Sequence, residues 1–219
     1  MMYLVEGNIG AGKSTFLQLL KQKLPQVEVA LEPVQGWQTE AHGKSLLHNF
    51  YTDSERWAFT MESFTLLNRV FENTKAKSGA ITLAERSIYS GYYCFAQNSY
   101  LNNYMSKMEW TIYQRMFNFL TNHPSYRRPA GFIYLRTSPE VAYERIIKRN
   151  RAAEKLISRT YIDQIHQKHD SLLVDAQNSL ITVPVLTLNA DAEFESNGKH
   201  MEEFTSQVQK FCKQVTHPI

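Results

Sequence analysis

The sequence predicts an α/β fold in which a parallel sheet carries helices on both faces. Short apolar runs rich in β-branched or aromatic residues recur along the chain, and longer stretches with helical spacing separate them. A glycine-rich loop, Gly7–Ser14, joins the first run to the first helical stretch. Crossovers of this kind favour ligand binding at the carboxyl ends of the strands.

In chain order, the first predicted strand is Tyr3–Glu6, an apolar run that ends at the glycine loop, and Lys13–Lys23 follows it as a helix. The second strand, Val27–Leu31, alternates until a carboxylate, Glu32, and then Pro33 interrupt it. Ser54–Lys75 is the next helical stretch, and Ala80–Ala84 within "GAITLAERS" is the third strand. Glu109–Leu120 reads as a helix, Phe132–Leu135 as the fourth strand and Pro139–Arg149 as the helix after it. Arg159–Ala176 is helical, Val183–Leu188 is the fifth strand, and Lys199–Val215 is the last helix. These helices are long enough to cover both faces of the sheet. No internal repeat, low-complexity tract or linker divides the chain, so a single domain over residues 1–219 is expected.

A chain of 219 residues with 43% hydrophobic content can bury one substantial core. The net charge of +3, from 24 basic and 21 acidic residues, is too balanced for a protein that coats a polyanion, so nucleic acid is not the expected partner. Cys94 and Cys212 lie far apart and lack metal-ligand spacing, which points to reduced thiols. "MMYLVEGNIG" enters the first strand and loop without room for a signal or transit peptide, and no run of about 18 apolar residues occurs. A soluble, cytoplasmic protein is the expectation, with entry into a nucleus by diffusion left open.

"GNIGAGKS" fits G-x-x-x-x-G-K-[ST] with a strand before it and a helix after it, the context in which the pattern acts as a phosphate-binding P-loop. Backbone N–H groups of Gly7, Asn8, Ile9, Gly10, Ala11 and Gly12 can wrap the phosphates of a nucleotide such as ATP. Lys13 reaches the terminal phosphates, Ser14 can sit on Mg²⁺, and Thr15 belongs to the helix N-terminus that faces the negative charge. A GTPase would add D-x-x-G and N-K-x-D stretches, and neither occurs. A motor-type ATPase would end a buried strand in aspartate, whereas "GAITLAERS" continues into Glu85, Arg86 and Ser87.

"GNIGAGKST", "EPVQGW", "ERSIYS", "MEWTIYQ" and "ERIIKRNRAAE" occur in the order and spacing of the deoxyribonucleoside kinase family. The chain resembles its branch of deoxycytidine, deoxyguanosine and mitochondrial thymidine kinases from about Tyr3 to Phe194. The resemblance implies a P-loop NTPase-type fold, a five-stranded parallel sheet wrapped by helices, usually found as a dimer. It also implies transfer of the γ-phosphoryl group of ATP, with Mg²⁺, to the 5′-hydroxyl of a deoxynucleoside.

Such a transfer needs a base for the hydroxyl proton and positive charge around the phosphoryl group. Glu32, at the end of a strand expected to neighbour the P-loop strand, is the candidate base. Arg86 resembles the arginine that contacts the acceptor and braces Glu32, and Glu85 the carboxylate that holds Mg²⁺ through water. An ordinary structural ion pair is the alternative for both. Arg145 and Arg149, four apart on one helix face, and Arg151 at the helix end suit an arginine-rich lid over ATP at about residues 149–158. A solvated helix face is the blander reading of that basic stretch.

By resemblance, Tyr51 and Glu154 serve the 3′-hydroxyl, Trp37, Met61 and Phe95 wall the base, and Glu193 and Phe194 lie near the adenine of the phosphate donor. Two positions depart from the family pattern. Glu62 stands where most members have a base-reading glutamine, with Arg69 retained on nearly the same helix face. Gly91 stands where purine- and cytosine-accepting members carry an aspartate. An ionised Glu62, kept charged by Arg69, offers acceptors only and suits guanine, which presents two adjacent donors. The small Gly91 would instead admit the 5-methyl group of thymidine. The base range is therefore expected to lean to deoxyguanosine or to be broad, with thymidine open.

His166 and His169 have helical spacing compatible with a metal site, but no third ligand is evident and solvent-facing histidines are expected. The nearest competing activity is a nucleoside monophosphate kinase of the thymidylate type, which shares the P-loop and lid but must bind an acceptor phosphate that Glu32 would repel. A nucleotide-sensing P-loop subunit without turnover is the non-enzymatic alternative.

Overall fold

A computed structural model of the chain describes residues 1–32, 45–75, 81–175 and 181–216. The elements run β1 (Met2–Glu6), α1 (Lys13–Lys23), β2 (Val27–Ala30), α2 (Leu46–Thr52), α3 (Ser54–Lys75) and β3 (Ile81–Glu85). A continuous helical stretch follows, formed by α4 (Ile88–Ser90), a π-helical segment (Gly91–Ala96) and α5 (Gln97–Leu101). Then come α6 (Lys107–Thr121), β4 (Gly131–Arg136), α7 (Pro139–Arg149), a 3₁₀ turn (Ala152–Glu154), α8 (Arg159–Leu173), β5 (Val185–Asn189) and α9 (Gly198–Thr216).

The five strands are all parallel, in the order β2-β3-β1-β4-β5. Strand β1 lies at the centre with all of its residues buried, which is why its run carries no polar alternation before Glu6. Its period of two sorts its side chains. Tyr3 and Val5 join Ile133 and Leu135 of β4 in a core against Phe16, Leu17 and Leu20 of α1 and Phe204, Val208 and Phe211 of α9. Met2 and Leu4 point the other way with Phe132 and Tyr134, against Cys94 and Phe95 of the π segment and Ile165 and Leu172 of α8. A third cluster, rich in aromatics, joins α2, α3, the π segment and α6 away from the sheet. Among the described residues no helix is long and apolar enough to cross a membrane.

One placement differs from expectation. Strand β3 lies between β2 and β1, so the strand that leads to Glu32 does not neighbour the P-loop strand. Glu32 reaches the centre of the site because its backbone N–H donates to Glu85 Oε2 at the end of β3, 3.3 Å away.

Candidate active site

The P-loop turns between β1 and α1 through two glycines with left-handed backbones, Gly10 (φ 82) and Gly12 (φ 86). A side chain at Gly10 would run into the carbonyl of Ala142 on α7, and one at Gly12 would stand 2.9 Å from the ring of Phe194. Asn8 ties the loop to α8 by donating from Nδ2 to Ile162 O at 2.9 Å. Lys13 Nζ donates to the loop carbonyls of Gly7 (3.1 Å) and Asn8 (2.8 Å). Burial first, then the Arg86 charge, brings its ammonium down to about 7, and the carboxylates of Glu85, Glu32 and Glu6 only partly offset this.

Beside the loop, Ser14 Oγ lies 2.9 and 3.0 Å from the two carboxylate oxygens of Glu85. A hydroxyl and a carboxylate held together at a phosphate-binding loop are hard oxygen donors, so this pair fits the Mg²⁺ that the sequence implies.

Glu32 is gripped from two sides. Arg69 donates to its Oε1 from Nε (3.0 Å) and Nη2 (2.7 Å), and Arg86 Nε stands 3.2 Å from Oε2. All three side chains are nearly excluded from solvent, at 5% for Glu32, 9% for Arg69 and 6% for Arg86. Arg86 reaches this position with a left-handed backbone (φ 64), a conformation that costs a non-glycine residue about 1 kcal/mol. Its Nη1 also donates to Gly7 O at 3.2 Å, and its guanidinium lies 4.7 Å from the centre of the Phe95 ring. The expected brace of Glu32 by Arg86 is thus present, and Arg69 joins it.

That second bond changes the reading of Glu62. The carboxyl was expected to be kept ionised by Arg69, yet Arg69 spends its guanidinium on Glu32 and on the carbonyl of Ser87. Burial, with the Glu32 charge adding to it, pushes Glu62 up to about 8 despite Arg69 and Arg86. The expectation for Gly91 is corrected too. The space left by its missing side chain is filled by Arg69, whose Nη1 would lie 2.6 Å from a Cβ there, so it is not room for a base substituent.

The Arg149 and Arg151 guanidiniums converge on one carboxylate. Arg149 Nη2 donates to Glu154 Oε2 at 2.6 Å and Arg151 Nη1 to Oε1 at 3.3 Å. Helix α7 ends at Asn150 in a left-handed cap, which swings Arg151 off the helix as expected. Arg145 parts from them. Its guanidinium caps the carbonyls of Ala190 (2.8 Å) and Asp191 (3.1 Å), where the chain leaves β5, and lies 5.9 Å from the Phe194 ring.

Around these groups lies a pocket with about 730 Å³ of open space. It is lined by Lys13, Ser14 and Glu85 at the P-loop, by Arg149, Arg151 and Glu154, and by Tyr51, Met61, Glu62, Arg69 and Phe95 with Glu32 and Arg86. Burial, and then the Glu154 charge, push the Tyr51 hydroxyl well above its ordinary range, so it stands ready as a neutral donor. A neighbouring recess is lined by Gly10, Gly12, Thr15, Arg145, Glu193 and Phe194. Phe194 is itself core, packed on Phe16 and Phe204. Glu193 turns back on its own loop and accepts from Ser196 Oγ at 2.6 Å. Trp37 lies outside the described residues.

Sequence reasoning missed Leu47, Phe50, Thr65 and Tyr161, which also line the pocket. The spacing of Leu47, Phe50 and Tyr51 was a helical signal, borne by the short helix α2. It also misplaced the histidines. His169 is fully buried, donates from Nδ1 to Ile165 O at 2.7 Å and has Nε2 4.0 Å from Glu6 Oε2, while the His166 side chain is 15% exposed beside Asp170. The even register of β1 aims Glu6 at α8, so both groups are drawn inward; burial raises the Glu6 carboxyl and brings His169 down to about 3. No group of three metal-ligating side chains of the His, Cys, Asp or Glu type occurs among the described residues.

Comparison with known proteins agrees with this geometry. The family model described as deoxynucleoside kinase matches residues 3–213. A mitochondrial deoxyguanosine kinase of Xenopus laevis is 34% identical, with 94% of this chain and 88% of the relative covered. A deoxycytidine kinase of Bos taurus is 35% identical over 87% of this chain and 84% of its own length. The deoxycytidine kinase of Homo sapiens is 34% identical, with 92% and 90% covered.

Proposed function

Since the chain belongs to the deoxynucleoside kinase family and is an ATP-dependent kinase of deoxynucleosides, we propose how its residues divide the reaction. Glu32 takes the proton of the sugar 5′-hydroxyl as that oxygen attacks the γ-phosphorus, and the bond to the leaving ADP oxygen breaks. The observation that carries this reading is the double grip of Arg69 and Arg86 on Glu32, at the edge of a pocket whose other end is the P-loop. A carboxylate placed there suits a neutral hydroxyl and would repel the phosphate of a nucleoside monophosphate, which favours this reading over a monophosphate kinase.

Lys13 leaves the loop carbonyls for the β- and γ-phosphates, whose charge favours its protonated form. Ser14 and Glu85 are the residues that would hold Mg²⁺, which when bound neutralises phosphate charge. Arg149 and Arg151 turn from Glu154 to the transferring phosphoryl oxygens, freeing Glu154 to join Tyr51 at the 3′-hydroxyl. Arg145 acts from a distance by holding the 190–192 carbonyls and Phe194 beside the donor recess.

A homodimer is part of this reading. The packed helices α3 and α6 expose apolar side chains in helical register, Phe64, Leu67 and Phe71 on one and Met108, Ile112 and Phe119 on the other. Such a patch supports a second copy as its cover. The buried thiol of Cys94 supports a reducing, cytoplasmic setting.

The test is phosphorylation of the four deoxynucleosides against their monophosphates with ATP and Mg²⁺, for the parent and Glu32→Gln. Deoxynucleosides should be the substrates, and Glu32→Gln should lower kcat about 100- to 10,000-fold while still binding ATP. Preference for monophosphates, or a Glu32→Gln loss within a few-fold, would remove the base assignment.

A further inference from the structure

The carboxyl of Glu62 occupies an unusual electrostatic position. It lines the nucleoside pocket from α3, and the residue is only 4% exposed. Among the described residues no cation stands within ion-pairing distance of it, because the two nearest guanidiniums, Arg69 and Arg86, are committed to Glu32. The charged group at the end of β2 that faces it, Glu32, repels a negative charge. Among the described residues, the other packed elements bring phenols, Tyr51 of α2, Tyr113 of α6 and Tyr161 of α8, each feeling the Glu62 carboxyl. Glu154, beyond Tyr51, is covered by Arg149 and Arg151. A carboxylate left in such a place is unfavourable unless it binds a proton.

We propose that Glu62 meets the nucleoside base as a neutral carboxylic acid, and that loss of its proton narrows the enzyme's base range toward guanine. The proposal rests on the nucleoside kinase reading and supplies its specificity.

The hydrogen-bond inventory carries the rest. A carboxylic acid has one O–H donor and one C=O acceptor, the same pattern as a glutamine amide. Its carbonyl can accept from the amino group of cytosine or adenine while its hydroxyl donates to the adjacent ring nitrogen. Turned over, it accepts from N3–H of thymine or N1–H of guanine and donates to the neighbouring carbonyl. Every base is served. The ionised form has acceptors alone, so it loses the bond to the ring nitrogen of cytosine and adenine. It gains a two-point contact only with guanine, through N1–H and the 2-amino group. Position 62 therefore reads the base through a proton that its surroundings, rather than its residue type, supply.

The measurement is the ratio of kcat/KM for deoxyguanosine to that for deoxycytidine, between pH 6.5 and 8.5, with ATP and Mg²⁺ saturating. This window lies below the loss of ring protons by the bases themselves. In the parent the ratio should rise at least about fivefold across the window, the lower end of what one two-point base contact discriminates. In Glu62→Gln, whose amide cannot ionise, it should stay within twofold. A parent ratio that stays flat, or an equal rise in Glu62→Gln, overturns the proposal. A second readout does not depend on turnover. The infrared difference spectrum of parent minus Glu62→Gln at pH 6.5 should contain a protonated carboxyl band, and a carboxylate band in its place overturns the proposal as well. Failure to phosphorylate any deoxynucleoside would reject the kinase reading and this inference together; efficient phosphorylation with a flat ratio would reject this inference alone.

Discussion

At the scale of single residues, the site is organised by which carboxylate each guanidinium chooses. Glu32 takes Arg69 and Arg86, Glu154 takes Arg149 and Arg151, and Glu62 and Glu6 are left in low-dielectric surroundings that favour a proton. His169 belongs to the same buried set with the opposite sign. Its folded value of about 3 lies below the ordinary 6.5, so the stability it contributes is fully present above about pH 6.5 and is lost as pH falls toward 3. Glu6, raised by burial, contributes the reverse trend and masks this in the parent alone. The difference between parent and His169→Asn separates the two. Between pH 7.5 and 5.5 the parent should lose about 1 kcal/mol relative to the variant in urea unfolding. Parallel stability curves would show that His169 takes up a proton without cost.

At the scale of elements, the sequence was most legible where a periodic face meets a strong stop. The predicted bounds of α1, α3 and α7 coincide with those observed. The stretch 88–101 was not read as helical, because its aromatic side chains, buried at Phe95 and half-buried at Tyr89, Tyr92, Tyr93 and Tyr100, pack on more than one neighbouring element and blur the helical period. Its π segment begins at Gly91, where the absent side chain lets Arg69 approach, so a local irregularity and a functional contact share one position. Helix α6 started two residues earlier than expected, at a reciprocal cap that local chemistry explains. Ser106 Oγ accepts from Glu109 N at 3.2 Å while Glu109 Oε2 accepts from Ser106 N at 2.8 Å. Ser106→Ala should therefore destabilise the fold by about 1 kcal/mol in thermal or urea unfolding, with kcat within twofold because α6 does not line the pocket.

At the scale of the whole molecule, the exposed apolar register on α3 and α6 leads to a clear expectation. The parent should sediment as a dimer, and Leu67→Glu combined with Ile112→Glu should sediment as a folded monomer; an unchanged sedimentation coefficient would place the interface elsewhere. The resemblance of its motifs to the kinase family named the acid and arginine residues that meet in the pocket, and the sequence by itself determined the P-loop and the alternation of strands and helices around a parallel sheet, though not the order of the strands. Those features depend on contiguous patterns, glycines that clear the backbone and apolar periods that choose a face. The tertiary structure alone decided that Arg69 serves Glu32 rather than Glu62, that Gly91 makes room for that arginine, that Arg145 braces a loop, and that His169 is buried against Glu6. Partner choice and protonation follow from distances between different elements and from exclusion of water, and neither quantity exists until the chain has folded.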